Sequence, residues 1–156
     1  MRRVQAVLLL ALSSSSAPAA PEREAVLAVV QAFFDTMAAK DVTGARRVLI
    51  PEGRFHSVRQ QDGKPVIRTF TNQEYLDDLP GRKESVRERI WNAEVRIRGP
   101  IADVWASYDF WRDGKLSHCG VDAFDLIKTE EGWRIAGGTY TVEASCEPSP
   151  LGPLKP

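Results

Sequence analysis

The chemistry available to this chain rests on a few residues set among apolar strands. Asp125 follows Ala123 and Phe124 and precedes Leu126. A carboxyl group in such a setting, near Tyr108 or Tyr140, has its ionised form disfavoured by desolvation and keeps a proton near neutrality, as a general acid must. The plainer role is an exposed strand carboxylate balancing Lys128 or an arginine. Asp109 and His118 are a second constellation: paired across two strands, the carboxylate would fix the imidazole tautomer and raise its basicity. Its plainer role is a surface ion pair worth well under about 1 kcal/mol. The other histidine, His56, stands alone on a short rim segment, where it could serve as a base opposite Asp125. Two histidines without a nearby carboxylate set give no metal-ligand spacing. There is no G-x-S-x-G elbow, glycine-rich phosphate loop or CxxC. No cofactor and no metal is implied.

The element that must position these residues runs from Ile101 to Val142. Asp113-Gly114 between apolar runs is a strong hairpin signal, because a type I′ turn needs positive φ at both central residues. With those two as the loop, Arg112 faces Lys115, Asp109 faces His118, Ser107 faces Gly120 and Trp105 faces Asp122, all on one side of the sheet. The other side then carries Val104, Ala106, Tyr108 and Phe110 with Cys119, Val121, Ala123 and Asp125. A second turn at Glu130-Glu131-Gly132 brings Ala136, Gly138, Tyr140 and Val142 beside that side. A bulge would exchange the two faces. In this register Trp105, Trp111, Phe124 and Leu126 share the outer face and form an apolar surface suited to a second subunit.

Upstream, Pro21, Glu22 and Glu24 suit a helix start, and Val26, Val30, Phe33 and Met37 recur at helical spacing. Asp41 caps a short second helix stopped by Pro51. Phe55 to Arg59 and Val66 to Phe70 form a small hairpin around Asp62-Gly63. Thr71-Asn72-Gln73-Glu74 is a capping box for a third helix ending at Pro80-Gly81. Val86 to Arg98 alternates as a long strand. The basic residues Arg82, Lys83, Arg87 and Arg89 read as a solvated strand edge. The class is α+β: three N-terminal helices packed on one face of a curved antiparallel sheet.

The 156 residues suffice for one domain with a sizeable core, and 21 basic residues balance 21 acidic ones, which argues against a nucleic-acid or anionic-membrane surface. Residues 1–19 differ from the rest. Arg2-Arg3, the apolar run Val4 to Leu12 and Ala17-Pro18-Ala19 compose a secretory signal peptide. The alternative is a poorly ordered start of a cytosolic protein. A domain over 20–146 and a proline-rich tail over 147–156 follow, and the mature protein is expected in the periplasm or outside the cell, off the membrane. In an oxidising compartment Cys119 and Cys146 either pair or remain one small buried hydrophobe and one exposed thiol.

These features together resemble the nuclear-transport-factor-2-like superfamily, whose fold, shared with polyketide-cyclase-like proteins and ketosteroid isomerases, implies a cone-shaped α+β domain with the helices on the concave face of the sheet. The resemblance is carried by the first helix ending in Ala39-Lys40-Asp41, by Ala106-Ser107-Tyr108-Asp109-Phe110, and by Gly120-Val121-Asp122-Ala123-Phe124-Asp125-Leu126 followed by Gly132-Trp133-Arg134-Ile135. It spans the mature chain and is nearest to exported bacterial members. The isomerase branch implies three functional residues. Asp125 matches the buried acid of its oxyanion hole, but the helix tyrosine is Phe33 here, and the general-base aspartate falls at about Ser57, beside His56. Two of three parts are missing, so steroid isomerisation is not expected.

The function expected is binding of a small apolar ligand in a cone-shaped pocket contacted by Phe33, Tyr108, Phe110, Tyr140, His118 and Asp122, in a protein that dimerises through its sheet. The alternatives are an isomerase, cyclase or dehydratase with Asp125 as acid and His56 as base, and an interaction module using the tryptophan-rich outer face.

Overall fold

The computed structural model describes residues 20–154; residues 1–19, where the leader is expected, lie outside them. Helix α1 (Ala20–Ala39) buries Val26, Val30, Phe33, Phe34 and Met37, the stripe its spacing predicts. It stops at Lys40, whose φ of 56° breaks the helix. Asp41 then caps α2 (Val42–Val48) by accepting a hydrogen bond from the Gly44 amide, 2.9 Å. The strands β1 (Leu49–Gln61) and β2 (Lys64–Thr71) turn at Asp62-Gly63, with φ of 50° and 73°. Thr71 and Glu74 close the capping box of α3 (Asn72–Asp78), and a 3-10 turn through Pro80 ends it. Strands β3 (Val86–Arg98), β4 (Ile101–Arg112), β5 (Lys115–Thr129) and β6 (Gly132–Val142) complete the chain.

The six strands form one sheet in the order β2-β1-β6-β5-β4-β3. Every neighbouring pair is antiparallel except β1 and β6, which run parallel from Leu49↔Ile135 to Arg59↔Val142. The α+β cone is thus as the sequence predicts, with this one parallel seam joining the early hairpin to the late meander. Two side chains, the buried Asn72 and the half-buried Arg134, fix the seam. Asn72, at the start of α3, donates to the Ile50 carbonyl on β1 at 2.7 Å, and Arg134 on β6 donates to the Leu49 carbonyl at 2.6 Å.

The register of the central ribbon departs from a plain two-residue hairpin. Asp113-Gly114 is the loop, and Arg112 faces Lys115 and Trp111 faces Leu116. A bulge follows: Phe110 pairs with His118, leaving Ser117 as the extra residue. From there every β5 residue is displaced by one. Tyr108 faces Gly120, Ala106 faces Asp122, and Val104 faces Phe124. Because side chains alternate with period two, His118, Asp122, Phe124 and Leu126 turn inward while Val121, Ala123 and Asp125 turn outward. The face assignment expected for β5 is therefore reversed. Phe124 and Leu126 belong to the core with Leu49, Ile135 and the α1 stripe, not to an outer surface. Trp105 does face outward and is 54% exposed. Trp111 is half-buried beneath the Arg89 guanidinium, 5.4 Å from its ring.

Cys119 and Cys146 are joined in a disulfide with Cα atoms 5.8 Å apart. Cys119 also bridges to Glu143 by two backbone hydrogen bonds, so the chain beyond β6 curls back onto β5.

Candidate functional site

The inward side of β5 opens on a cavity of about 520 Å³, within the range usual for small-molecule sites. Its walls are aromatic. Phe33 from α1 stacks near-parallel on Phe55 of β1 at 5.8 Å, and Phe55 stacks on Phe70 of β2 at 5.8 Å. Phe124 meets Phe33 edge-on, and Tyr75 of α3 closes the helical side. Tyr108, Phe110 and Tyr140 line the sheet side.

Two carboxyl groups sit among these rings. Asp122 is 3% exposed, and Glu88, inward on β3, faces it across β4, close enough for the two carboxyl groups to affect each other's charge. Glu88 keeps some surface, but that surface faces the cavity. Burial is the largest cause holding each of them protonated, and the second carboxylate adds to it for Glu88. Asp122 is pushed up to about 7 and Glu88 well above the carboxylate range. The pair titrates as one unit and retains at least one proton at neutral pH. The Oδ2 atom of Asp122 has no protein partner, and neither has the Tyr75 hydroxyl on the opposite wall. Buried polar atoms seldom go unpaired, since each costs about 1–3 kcal/mol of lost hydration. A ligand edge, or water held in its place, fits these two atoms.

His118 stacks on Phe110 with centroids 4.7 Å apart and meets Tyr108 edge-on. Burial, then the positive charges of Arg112 and Arg59, push its imidazole down to about 4, so it is neutral at pH 7. Its Nδ1 lies 3.1 Å from the Ser117 hydroxyl, at the bulge. The Tyr108 hydroxyl donates to the Thr141 carbonyl at 2.6 Å, which pins that ring. Gly120, opposite Tyr108, has φ 154°, and a Cβ there would stand 2.4 Å from Thr141 Oγ1; only glycine lets β6 come this close.

The residues singled out from the sequence divide. Phe33, Tyr108, Phe110, Tyr140, His118 and Asp122 all line the cavity. Asp125 does not. It faces solvent opposite Asp103 on a shallow outer groove with Ile101 and Ile127, so the Ser117 bulge assigns the pocket carboxylate to Asp122 instead. The position matched to an oxyanion-hole acid is thereby an outer one. His56 also points away, its Nδ1 2.8 Å from Thr69 Oγ1, while its neighbour Ser57 lines the cavity. No acid–base pair of Asp125 and His56 exists. Nor do Asp109 and His118 meet: Asp109 faces outward, buried against Arg89, whose Nε donates to it at 2.9 Å. Glu88 was not anticipated. Its signal was an acid at the inward alternating position between Val86 and Ile90, masked by the basic Arg87 and Arg89 on either side.

Residues 21–141 match the family described as "Putative lumazine-binding". The chain belongs to this family. Among solved structures, the lumazine-binding-like domain resembles a protein of unknown function from Mycobacterium tuberculosis at 18% identity, covering 79% of this chain and 77% of that one, with a TM-score of 0.63. A nuclear-transport-factor-2-like protein from Cytophaga hutchinsonii aligns at 14% identity over 77% and 97% of the two chains, TM-score 0.64. A "putative dehydratase" of the nuclear-transport-factor-2-like family from Streptomyces avermitilis aligns at 17% identity over 78% and 96%, TM-score 0.59. Likenesses this distant establish the shared fold, the α+β cone that the sequence resemblance implies. No curated protein matches the chain.

Proposed function

We propose that this lumazine-binding-like protein holds a small, flat ligand with hydrogen-bonding edges inside the cone. The observation that carries the reading is the unpartnered Asp122 Oδ2, buried in a ligand-sized aromatic cavity across from the equally unpartnered Tyr75 hydroxyl. Aromatic walls accept a planar ring, and the two polar atoms favour one with a donor toward Asp122 and a polar group toward Tyr75. The ligand is in this reading less apolar than composition alone suggests. The family description supports a heteroaromatic ring. Action outside the cytoplasm is part of the proposal, supported by the leader-like residues 1–19 and by the disulfide, a bond that persists in oxidising compartments. A homodimer contact through the sheet is supported by Trp105 and Ile101, both exposed on the outer face.

The test is native mass spectrometry of the protein from its own host, combined with calorimetric titration by lumazine. A co-purifying adduct or lumazine binding, weakened about tenfold or more by Asp122→Leu, is the expected result. Neither adduct nor binding removes the reading.

A second reading, acid–base turnover, is favoured by the Glu88–Asp122 pair, which brings a proton-holding carboxyl and the neutral His118 into one cavity. Here Asp122→Asn abolishes turnover of the co-purified compound and largely preserves its affinity.

A further inference from the structure

The two ends of the cavity differ in charge. Toward the floor lie the Glu88 and Asp122 carboxyls and the phenylalanines. Toward the open end lie guanidinium groups from separate elements: Arg59 near the tip of the β1–β2 hairpin, Arg68 on β2 and Arg112 at the tip of the β4–β5 hairpin. All three are exposed, and among the described residues none takes part in an ion pair. A fourth, Arg82, is already stacked on the Tyr75 ring at 4.8 Å.

The acids at this end do not cancel them. Glu74 is committed to the capping box, where it accepts from the Thr71 amide at 2.6 Å. Asp78 belongs to the helical side of the opening, while Glu84, two residues before β3, lies near enough to Arg112 to feel it. The sheet side of the opening is left with three cations against that one carboxylate. On their own these exposed cations are hydrated and repel one another only weakly. A carboxylate, sulfonate or phosphate in reach of two planar forks removes that repulsion and forms charge-assisted hydrogen bonds.

We infer that the ligand is an aromatic anion, seated with its ring in the phenylalanine-walled floor and its anionic group at Arg59, Arg68 and Arg112. The inference rests on the ligand-binding reading above and specifies the class of ligand. It also sets the direction of entry: the ring leads and the charge trails at the rim, where it stays partly hydrated. Binding then depends on ionic strength, as it would not for a neutral ring.

The experiment compares two fluorescent probes that share an anilinonaphthalene body and an N–H donor for Asp122. One is 8-anilinonaphthalene-1-sulfonate; the other, N-phenyl-1-naphthylamine, lacks the sulfonate. The full chain is expected to bind the sulfonate about tenfold or more tightly than the neutral probe. The triple variant Arg59→Gln/Arg68→Gln/Arg112→Gln is expected to lose that preference while keeping its affinity for the neutral probe. Since all three side chains are exposed, unchanged circular dichroism should accompany the loss. Equal affinities in the wild type, or a preference that survives the triple variant, overturn the anion assignment and leave the binding reading standing. If neither probe binds, both fail. A sulfonate bound equally well after Phe33→Ala lies outside the cone and also overturns the assignment.

Discussion

Asp122 and Asp125 are aspartates three positions apart on one strand, and their surroundings differ sharply. Asp122 is enclosed by aromatic rings, titrates together with Glu88 and has an oxygen with no protein partner. Asp125 faces bulk water beside Asp103, and its carboxyl is only raised by partial burial and that neighbour. Both sit between apolar residues, and three positions apart they lie on opposite faces by alternation alone. Which of them faces the cavity is decided by Ser117, one extra residue eight positions before Asp125, which turns the alternation over. A site's chemistry can therefore be decided by a backbone irregularity that itself carries no functional group.

The severest way to break the contrast is to insert one residue between Gly120 and Val121. Strict alternation then drives Asp125 inward and turns Phe124 and Leu126 out to solvent. Loss of the cooperative thermal transition is the expected outcome; a folded protein with unchanged probe binding would show that alternation along β5 does not set the faces. Next in size is Arg89→Ala. It leaves Asp109 buried without its partner and should cost about 3–5 kcal/mol in urea unfolding. By contrast, Arg96→Ala, which breaks the exposed Arg96–Asp103 pair, should cost under about 1 kcal/mol. Reducing the Cys119–Cys146 bond, or replacing both cysteines by serine, should lower stability by about 3–4 kcal/mol, the loop-closure entropy of a 27-residue separation.

The smallest effect has the most particular signature. Asp122 binds its proton more tightly folded than unfolded, so the folded state holds more protons and stability falls as pH rises from 3.8 toward about 7. Glu88 extends the fall to higher pH. His118 acts in the opposite sense: the unfolded chain binds the extra proton, and stability rises as pH climbs from about 4 to 6.5. His118 offsets only one of the two acids below 6.5, so a shallow decline there steepens above it. Asp122→Asn should flatten that decline and stabilise the protein by roughly 2 kcal/mol at pH 8. Asp125→Asn should leave the profile unmoved to within about 0.5 kcal/mol. Equal responses from the two variants would refute the contrast.

Much of the architecture could be read from residue types. The α1 stripe, the Asp41 cap, the Thr71–Glu74 capping box and the Asp113-Gly114 turn are local signals, each with its own mechanism, and each appears where expected. The parallel β1–β6 seam had no such signal, because pairing between distant segments leaves no local mark. The cavity residues were largely recovered, yet the acid was not. Asp125 was favoured through strict alternation from the turn, and alternation fails wherever a bulge intervenes. Glu88 was hidden by the charges flanking it. His118 does line the cavity, but its expected pairing with Asp109 fails, for the same reason as Asp125.

The parallel seam has a consequence for how the chain comes to be folded. Leu49 meets Ile135, a residue synthesised long after it, so the first hairpin has no neighbour on its inner edge until the last strand has left the ribosome. Contacts between segments so far apart are paid for in loop entropy before they return anything, which slows folding and prolongs exposure of an unpaired strand edge. A nascent chain truncated before Gly132 should therefore be a client for chaperones rather than a smaller version of the domain.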